Sequence, residues 1–185
     1  MRLTGRYNAN SRFGAANLVT ALRATLAVMI ASWLVRPAAG SMWLVILLTA
    51  VFAGLDGVDG WLARRTGTTS EFGARFDMET DAALILVLSL LVWQTGKAGP
   101  WVLLCGLMRY LFVAAGYLLP WMAAPLSPTW RGKTVAVLQF LGLGIALAPP
   151  LLPPASRLVA AATVGALCWS FAVDIRRLWM GKGEA

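Results

Sequence analysis

Six apolar stretches follow one another along the chain, at residues 17–35, 42–63, 73–94, 99–121, 133–149 and 156–175. Each is near the ~20 residues that a helix needs to cross a bilayer. The breaks between them carry turn chemistry: Pro37 with Gly40, Gly67, Gly96 with Gly99 and Pro100, Pro125 with Pro128, then Pro149, Pro150, Pro153 and Pro154. The pattern predicts an all-α membrane protein of six transmembrane helices in one domain, residues 17–178, with a short tail at 179–185. Residues 1–16 hold Arg2, Arg6 and Arg12 and no acid, and are too polar for a cleavable signal peptide. They read as a short interfacial segment anchored by Tyr7 and Phe13, or as a tail.

Composition agrees with the pattern. Only 13% of the residues are charged, against roughly 25% in soluble domains. The net charge of +8 would suit nucleic acid, but its distribution points to lipid. With the N-terminus in the cytoplasm, eleven basic residues fall on the cytoplasmic side and three (Arg36, Lys97 and Arg157) on the other, leaving Arg23 and Arg109 inside segments. The expectation is a multi-pass inner-membrane protein with both termini cytoplasmic and no nucleic-acid partner. The absence of histidine removes imidazole acid–base and ligand chemistry. Cys105 and Cys168 stand singly in apolar runs and read as packing residues.

Negative charge changes the picture. Six of the eight acids lie between Asp56 and Asp81, on segments two and three. Asp56, Asp59, Gly60, Ala63 and Arg64 share one helical stripe, and Gly73, Asp77 and Asp81 share another. A helix–loop–helix hairpin, with Thr68-x-x-Glu71 as a capping box, would make the two segments antiparallel neighbours and bring four aspartates to one depth. Clustered carboxylates in an apolar setting need positive charge. Arg64, Arg65 and Arg75 could supply it, whereas intramembrane acids point to function, and an oxygen-only donor set favours Mg²⁺, Mn²⁺ or Ca²⁺. Glu71 and Glu79 fall off the stripes and read as solvated or salt-bridged.

The spacing Asp56-x2-Asp59-Gly60-x2-Ala63-Arg64-x8-Gly73-x3-Asp77-x3-Asp81 matches the signature of the CDP-alcohol phosphotransferase (phosphatidyltransferase) family at every specified position. The six-helix layout resembles that family too. The resemblance implies transfer of a phosphatidyl group from a CDP-linked lipid, usually CDP-diacylglycerol, to an alcohol hydroxyl, with release of CMP. It implies that Asp56, Asp59 and Asp77 bind metal, Mg²⁺ or Mn²⁺, as two ions. Asp81 would be the general base and would also reach metal. Asp56, Gly60, Ala63, Arg64 and Gly73 would form the CDP pocket near the cytoplasmic face, and the protein would be a homodimer.

Two weaker likenesses concern the acceptor. Asn17-x2-Thr20-x2-Arg23 resembles the start of the first helix in phosphatidylglycerophosphate synthases, and Arg131-Gly-Lys133-Thr134 resembles their Lys-Thr pair. Arg109, Arg131 and Lys133 are thus candidates for a phosphorylated acceptor, with glycerol 3-phosphate favoured and inositol phosphate the alternative. Arg109 could instead be a buried partner of Asp174, and its position midway along segment four looks deep for a substrate contact. Thr20 and Arg23 could simply pack the first helix. An intramembrane prenyltransferase would normally need a longer chain and two separated Asp motifs. A cation transporter would spread its acids or repeat them in two halves.

Overall fold

A computed structural model describes residues 15–35, 41–66, 71–123 and 129–181. Among them are six α-helices: α1 Ala15–Ala31, α2 Met42–Thr66, α3 Glu71–Gln94, α4 Leu104–Leu118, α5 Trp130–Leu147 and α6 Ala155–Gly181. Short 3₁₀ turns at Ser32–Leu34, Pro100–Leu103 and Pro120–Ala123 extend α1 and flank α4. No strand occurs among the described residues. The interfacial segment and the Thr68 capping box expected from sequence lie outside them.

Helix ends follow local chemistry rather than hydropathy. α2 is helical through Arg64 and Arg65 to Thr66, passing Gly54, Gly57 and Gly60, and α6 is helical through Arg176 and Arg177 to Gly181, passing Gly165. α5 stops at Leu147 because Ala148 precedes Pro149 and takes an extended ψ of 128°. Leu119 does the same before Pro120, with ψ 90°, and ends α4. At its start α5 is capped by Thr129, whose hydroxyl accepts the Gly132 N–H at 3.1 Å.

α3 supplies the centre of the core through Leu84, Leu88, Leu91 and Val92, all fully buried. It packs on α1, α4 and α5, while α2 packs mainly on α1 and α5, and α6 on α5. Among the described residues, which leave out the loop and the side chains beside it, the two arms of the expected hairpin are bridged by α1. The physical reason is charge: two facing stripes of carboxylates repel, and α1 brings a cation between them, described below. Close approach elsewhere depends on missing side chains. A Cβ on Gly106 would meet the Leu86 Cα at 2.4 Å, which sets the α3–α4 crossing, and one on Gly142 would meet the Thr163 methyl at 2.1 Å, which sets α5 against α6. Gly144, its neighbour in the Gly-x-Gly pair, meets nothing within 4 Å.

At the end away from the carboxylates, the Lys97 ammonium donates to the carbonyls of Ala148, Pro149 and Leu151, at 3.0, 3.3 and 2.6 Å. A cation there satisfies the carbonyls just past the C-terminus of α5 and suits the negative end of its dipole. The Ser156 hydroxyl donates back to the Lys97 carbonyl at 2.6 Å, so one residue ties the α3–α4 turn to the α5–α6 turn.

Among the described residues, two helical stretches, Pro100–Leu118 and Ala155–Met180, are long and apolar enough to cross a membrane. The outward positions of the bundle are leucine, valine and tryptophan (Leu18, Val28, Leu47, Leu111, Leu158 and Trp169 are all exposed) where a soluble bundle would be charged.

Candidate active site

Asp56 lies ten residues before the end of α2 and Asp81 ten residues after the start of α3, so each is about 15 Å along its helix from the loop that joins them. Asp77 is one turn nearer that loop. The three carboxylates converge: one oxygen from each lies within 4.8 Å of the others. Asp59 sits on the turn of α2 after Asp56, with Gly60, Ala63 and Arg64 beyond it. The α2 backbone is described there, but the side chains from 58 onward lie outside the described residues. Gly73 is on the first turn of α3, half-buried.

Arg23 is the residue that assembles the cluster. It is on the inward face of α1 with Thr20, Ala27 and Ile30, spaced at i, i+3, i+7 and i+10, and it is fully buried. Its Nη1 donates to Asp77, and its Nη2 donates to Asp81 and contacts Asp56 at 3.0 Å. The guanidinium also stacks 4.4 Å from the centroid of Phe52, whose ring is tilted against Phe140 of α5. Sequence reasoning named Arg64, Arg65 and Arg75 as possible counter-charges, and read Arg23 either as part of a synthase-like first helix or as packing. The signal available was its spacing, which puts it on the same buried face as Thr20.

Three carboxylates against one guanidinium leave a formal charge of −2. The side chains of Asp56, Asp77 and Asp81 keep 40, 34 and 21% exposure while that of Arg23 keeps none. The cation therefore forms the floor, and the acids present their other edges outward. Oxygens spaced in this way suit a hard divalent ion, whose ligands sit about 2.0–2.6 Å away and hence about 4–5 Å or less from one another. The donor set fits such an ion in charge, chemistry and spacing.

Beside Asp81 opens a cavity of about 410 Å³ between α3, α4, α5 and α6. Its polar lining includes Asp81, Arg109, Thr129, Lys133, Gln139 and Asp174. Arg109 pairs with Glu79 and also touches the Met78 sulfur. That contact sets its guanidinium level with the α3 turns that carry Asp77 and Asp81, so its mid-segment position does not remove it from the aspartates. Asp174 pairs with Arg131 instead of Arg109. Two of the three candidate acceptor residues, Arg109 and Lys133, thus line one cavity with Asp81, and Arg131 reaches it through Asp174. Thr129 and Gly132 bring the N-terminus of α5 to the same wall, where the helix dipole favours an anion.

Residues 13–173 match the family model described as CDP-alcohol phosphatidyltransferase. The chain belongs to that family. It is also similar to a protein of Pseudomonas fluorescens named CDP-diacylglycerol--glycerol-3-phosphate 3-phosphatidyltransferase, with 32% identity over 181 aligned positions that take in 88% of this chain and 89% of the relative. The family match takes in the whole Asp56–Asp81 constellation, Arg23, and every polar residue of the cavity lining named above except Asp174, which lies one residue beyond it.

Proposed function

We propose that this CDP-alcohol phosphatidyltransferase family member moves the phosphatidyl group of CDP-diacylglycerol onto glycerol 3-phosphate and releases CMP. The observation that carries the reading is the shared cavity. Asp81 belongs both to the carboxylate cluster that suits a metal and to a pocket with two cationic side chains and a helix N-terminus. A phosphorylated alcohol needs that combination: positive charge at one end and a proton acceptor at the other. The similarity to the Pseudomonas relative supports glycerol 3-phosphate in particular.

In this reading Asp81 takes the proton of the attacking hydroxyl, whose oxygen bonds to the lipid-side phosphorus as the bond to the CMP oxygen breaks. Asp56, Asp59 and Asp77, with Asp81 in reach, would hold Mg²⁺ or Mn²⁺, as two ions. Bound there, the metal would neutralise the pyrophosphate and the departing CMP. Asp56, Gly60, Ala63, Arg64 and Gly73 form the CDP pocket, where the small residues leave room for the nucleotide. Arg109 and Lys133 bind the acceptor phosphate, while Arg131 holds Asp174 in place. The catalytic domain is residues 17–178, spanning the inner membrane six times as a homodimer, with both termini and the site on the cytoplasmic side. A water-soluble acceptor and a lipid donor can meet at that depth.

Purified protein with CDP-diacylglycerol and millimolar Mg²⁺ or Mn²⁺ is expected to release CMP when glycerol 3-phosphate is added. A chelator should abolish release, and renewed metal should restore it. Release driven by inositol phosphate and not by glycerol 3-phosphate would overturn the acceptor. No release across a broad alcohol panel would overturn the reaction.

A further inference from the structure

Gln139 is the polar residue of α5 that the foregoing chemistry does not use. It is fully buried in an otherwise apolar stretch and lines the cavity that holds Asp81, Arg109 and Lys133. Its Nε2 donates to the Thr163 carbonyl of α6 at 2.9 Å. A carbonyl can only accept, so this bond fixes which end of the amide is which. The other end, Oε1, is buried and has no hydrogen-bond partner among the described residues. A buried acceptor left in that state is costly, and the group that relieves it must be a donor.

The chemistry of the pocket narrows what the donor is. A phosphate at neutral pH is an acceptor and would be repelled by Oε1, so the phosphate end belongs with Lys133 and Arg109. Lys133 is six residues nearer the start of α5, about 9 Å along the helix. Gln139 is nine residues into α5 and Asp81 ten residues into α3, so the hydroxyl end of an acceptor lies toward both. The reacting hydroxyl has one proton, and that proton goes to Asp81. It cannot also be donated to Gln139.

We propose that the Gln139 side-chain carbonyl is a specificity-determining contact that accepts a hydrogen bond from a second, non-reacting hydroxyl of the acceptor. The inference rests on the acceptor assignment above and adds a requirement to it: the substrate is a phosphorylated diol, and its spare hydroxyl is read. For glycerol 3-phosphate that group is the 2-hydroxyl.

The test compares glycerol 3-phosphate with 3-hydroxypropyl phosphate, which keeps the reacting hydroxyl and the phosphate but lacks the 2-hydroxyl. Wild-type protein should favour glycerol 3-phosphate in kcat/KM by at least about tenfold, the order expected for one hydrogen bond to a buried neutral group. Gln139→Met keeps the length of the side chain and removes the oxygen. It should bring the ratio near one by lowering kcat/KM for glycerol 3-phosphate alone, with the KM for CDP-diacylglycerol unchanged. An equal loss on both acceptors would mean that Gln139 only ties α5 to α6, and would overturn the proposal. Equal kcat/KM values in the wild type would overturn it without any variant, which keeps the question decidable if Gln139→Met does not fold. Wild-type CMP release with other alcohols but with neither of these two would strike the acceptor assignment itself, and this inference with it.

Discussion

At the scale of residues, the carboxylate cluster has a built-in counter-ion. Arg23 offsets one of three negative charges from beneath and leaves the outward edges for ligands. Removing one partner of a fully buried ion pair costs about 3–5 kcal/mol. The acids here keep 21–40% exposure, so about 1–3 kcal/mol is the expected scale. In a chain of this size that corresponds to roughly 2–10 °C in melting temperature. Arg23→Gln is expected to melt that much lower in chelator and to regain most of the loss in millimolar Mg²⁺. Asp81→Asn should give the opposite pattern: metal-free stability is kept, because one repelling charge has gone, while CMP release falls by at least about a hundredfold. Melting curves with and without Mg²⁺ separate the two. A Mg²⁺ response in Arg23→Gln no larger than in wild type would count against the shared site. The aspartates were legible in the sequence because the motif is local and rigidly spaced. The pairing of Arg23 and the role of Gln139 were not, because each gains its meaning from a partner on another helix, and nothing in a single apolar helix distinguishes a buried polar residue that packs from one that pairs.

At the scale of elements, helix positions follow hydrophobic periodicity and helix ends follow prolines and glycines, and both can be read from the chain. What periodicity does not specify is which helix lies beside which. A short loop argued for α2 beside α3; among the described residues α1 lies across both and puts a cation between the carboxylates that they carry. Of the Gly142-x-Gly144 pair only Gly142 makes a close approach, since two residues along a helix turn by about 200°. The same contrast can be measured between helices. Gly106→Ala forces a Cβ to 2.4 Å from the backbone of α3 and should destabilise by about 1–3 kcal/mol. Gly144→Ala, with nothing within 4 Å, should be neutral or stabilising by up to about 1 kcal/mol from helix propensity alone. Thermal melting of the two variants checks the sign of each, and similar losses in both would disprove the close crossing of α3 and α4.

At the scale of the whole molecule, two arginines mark the two ends of α6. Arg157 and Arg177 are both exposed and stand twenty residues apart on α6, about 30 Å, the thickness of a bilayer core. In a background without Cys105 and Cys168, Arg157→Cys should react with an impermeant maleimide only from the outer side of sealed membranes. Arg177→Cys should react only from the cytoplasmic side. Labelling of both from one side would overturn the proposed orientation. The orientation is argued from sequence alone, because basic side chains mark the cytoplasmic side of a membrane one by one. The cavity beside Asp81 was not legible, since its walls come from four helices that no stretch of sequence brings together.

The buried guanidinium also bears on how the chain is made. α1 leaves the ribosome first, carrying an arginine that a lipid-facing helix admits only at about 2.5–3.5 kcal/mol. The first acid able to neutralise it, Asp56, arrives with the very next helix, and two more, Asp77 and Asp81, with the one after. Synthesis order thus matches pairing order: each new helix would find its partner already waiting, and the carboxylates of the proposed site would be gathered as a by-product of membrane insertion, before any ion is needed.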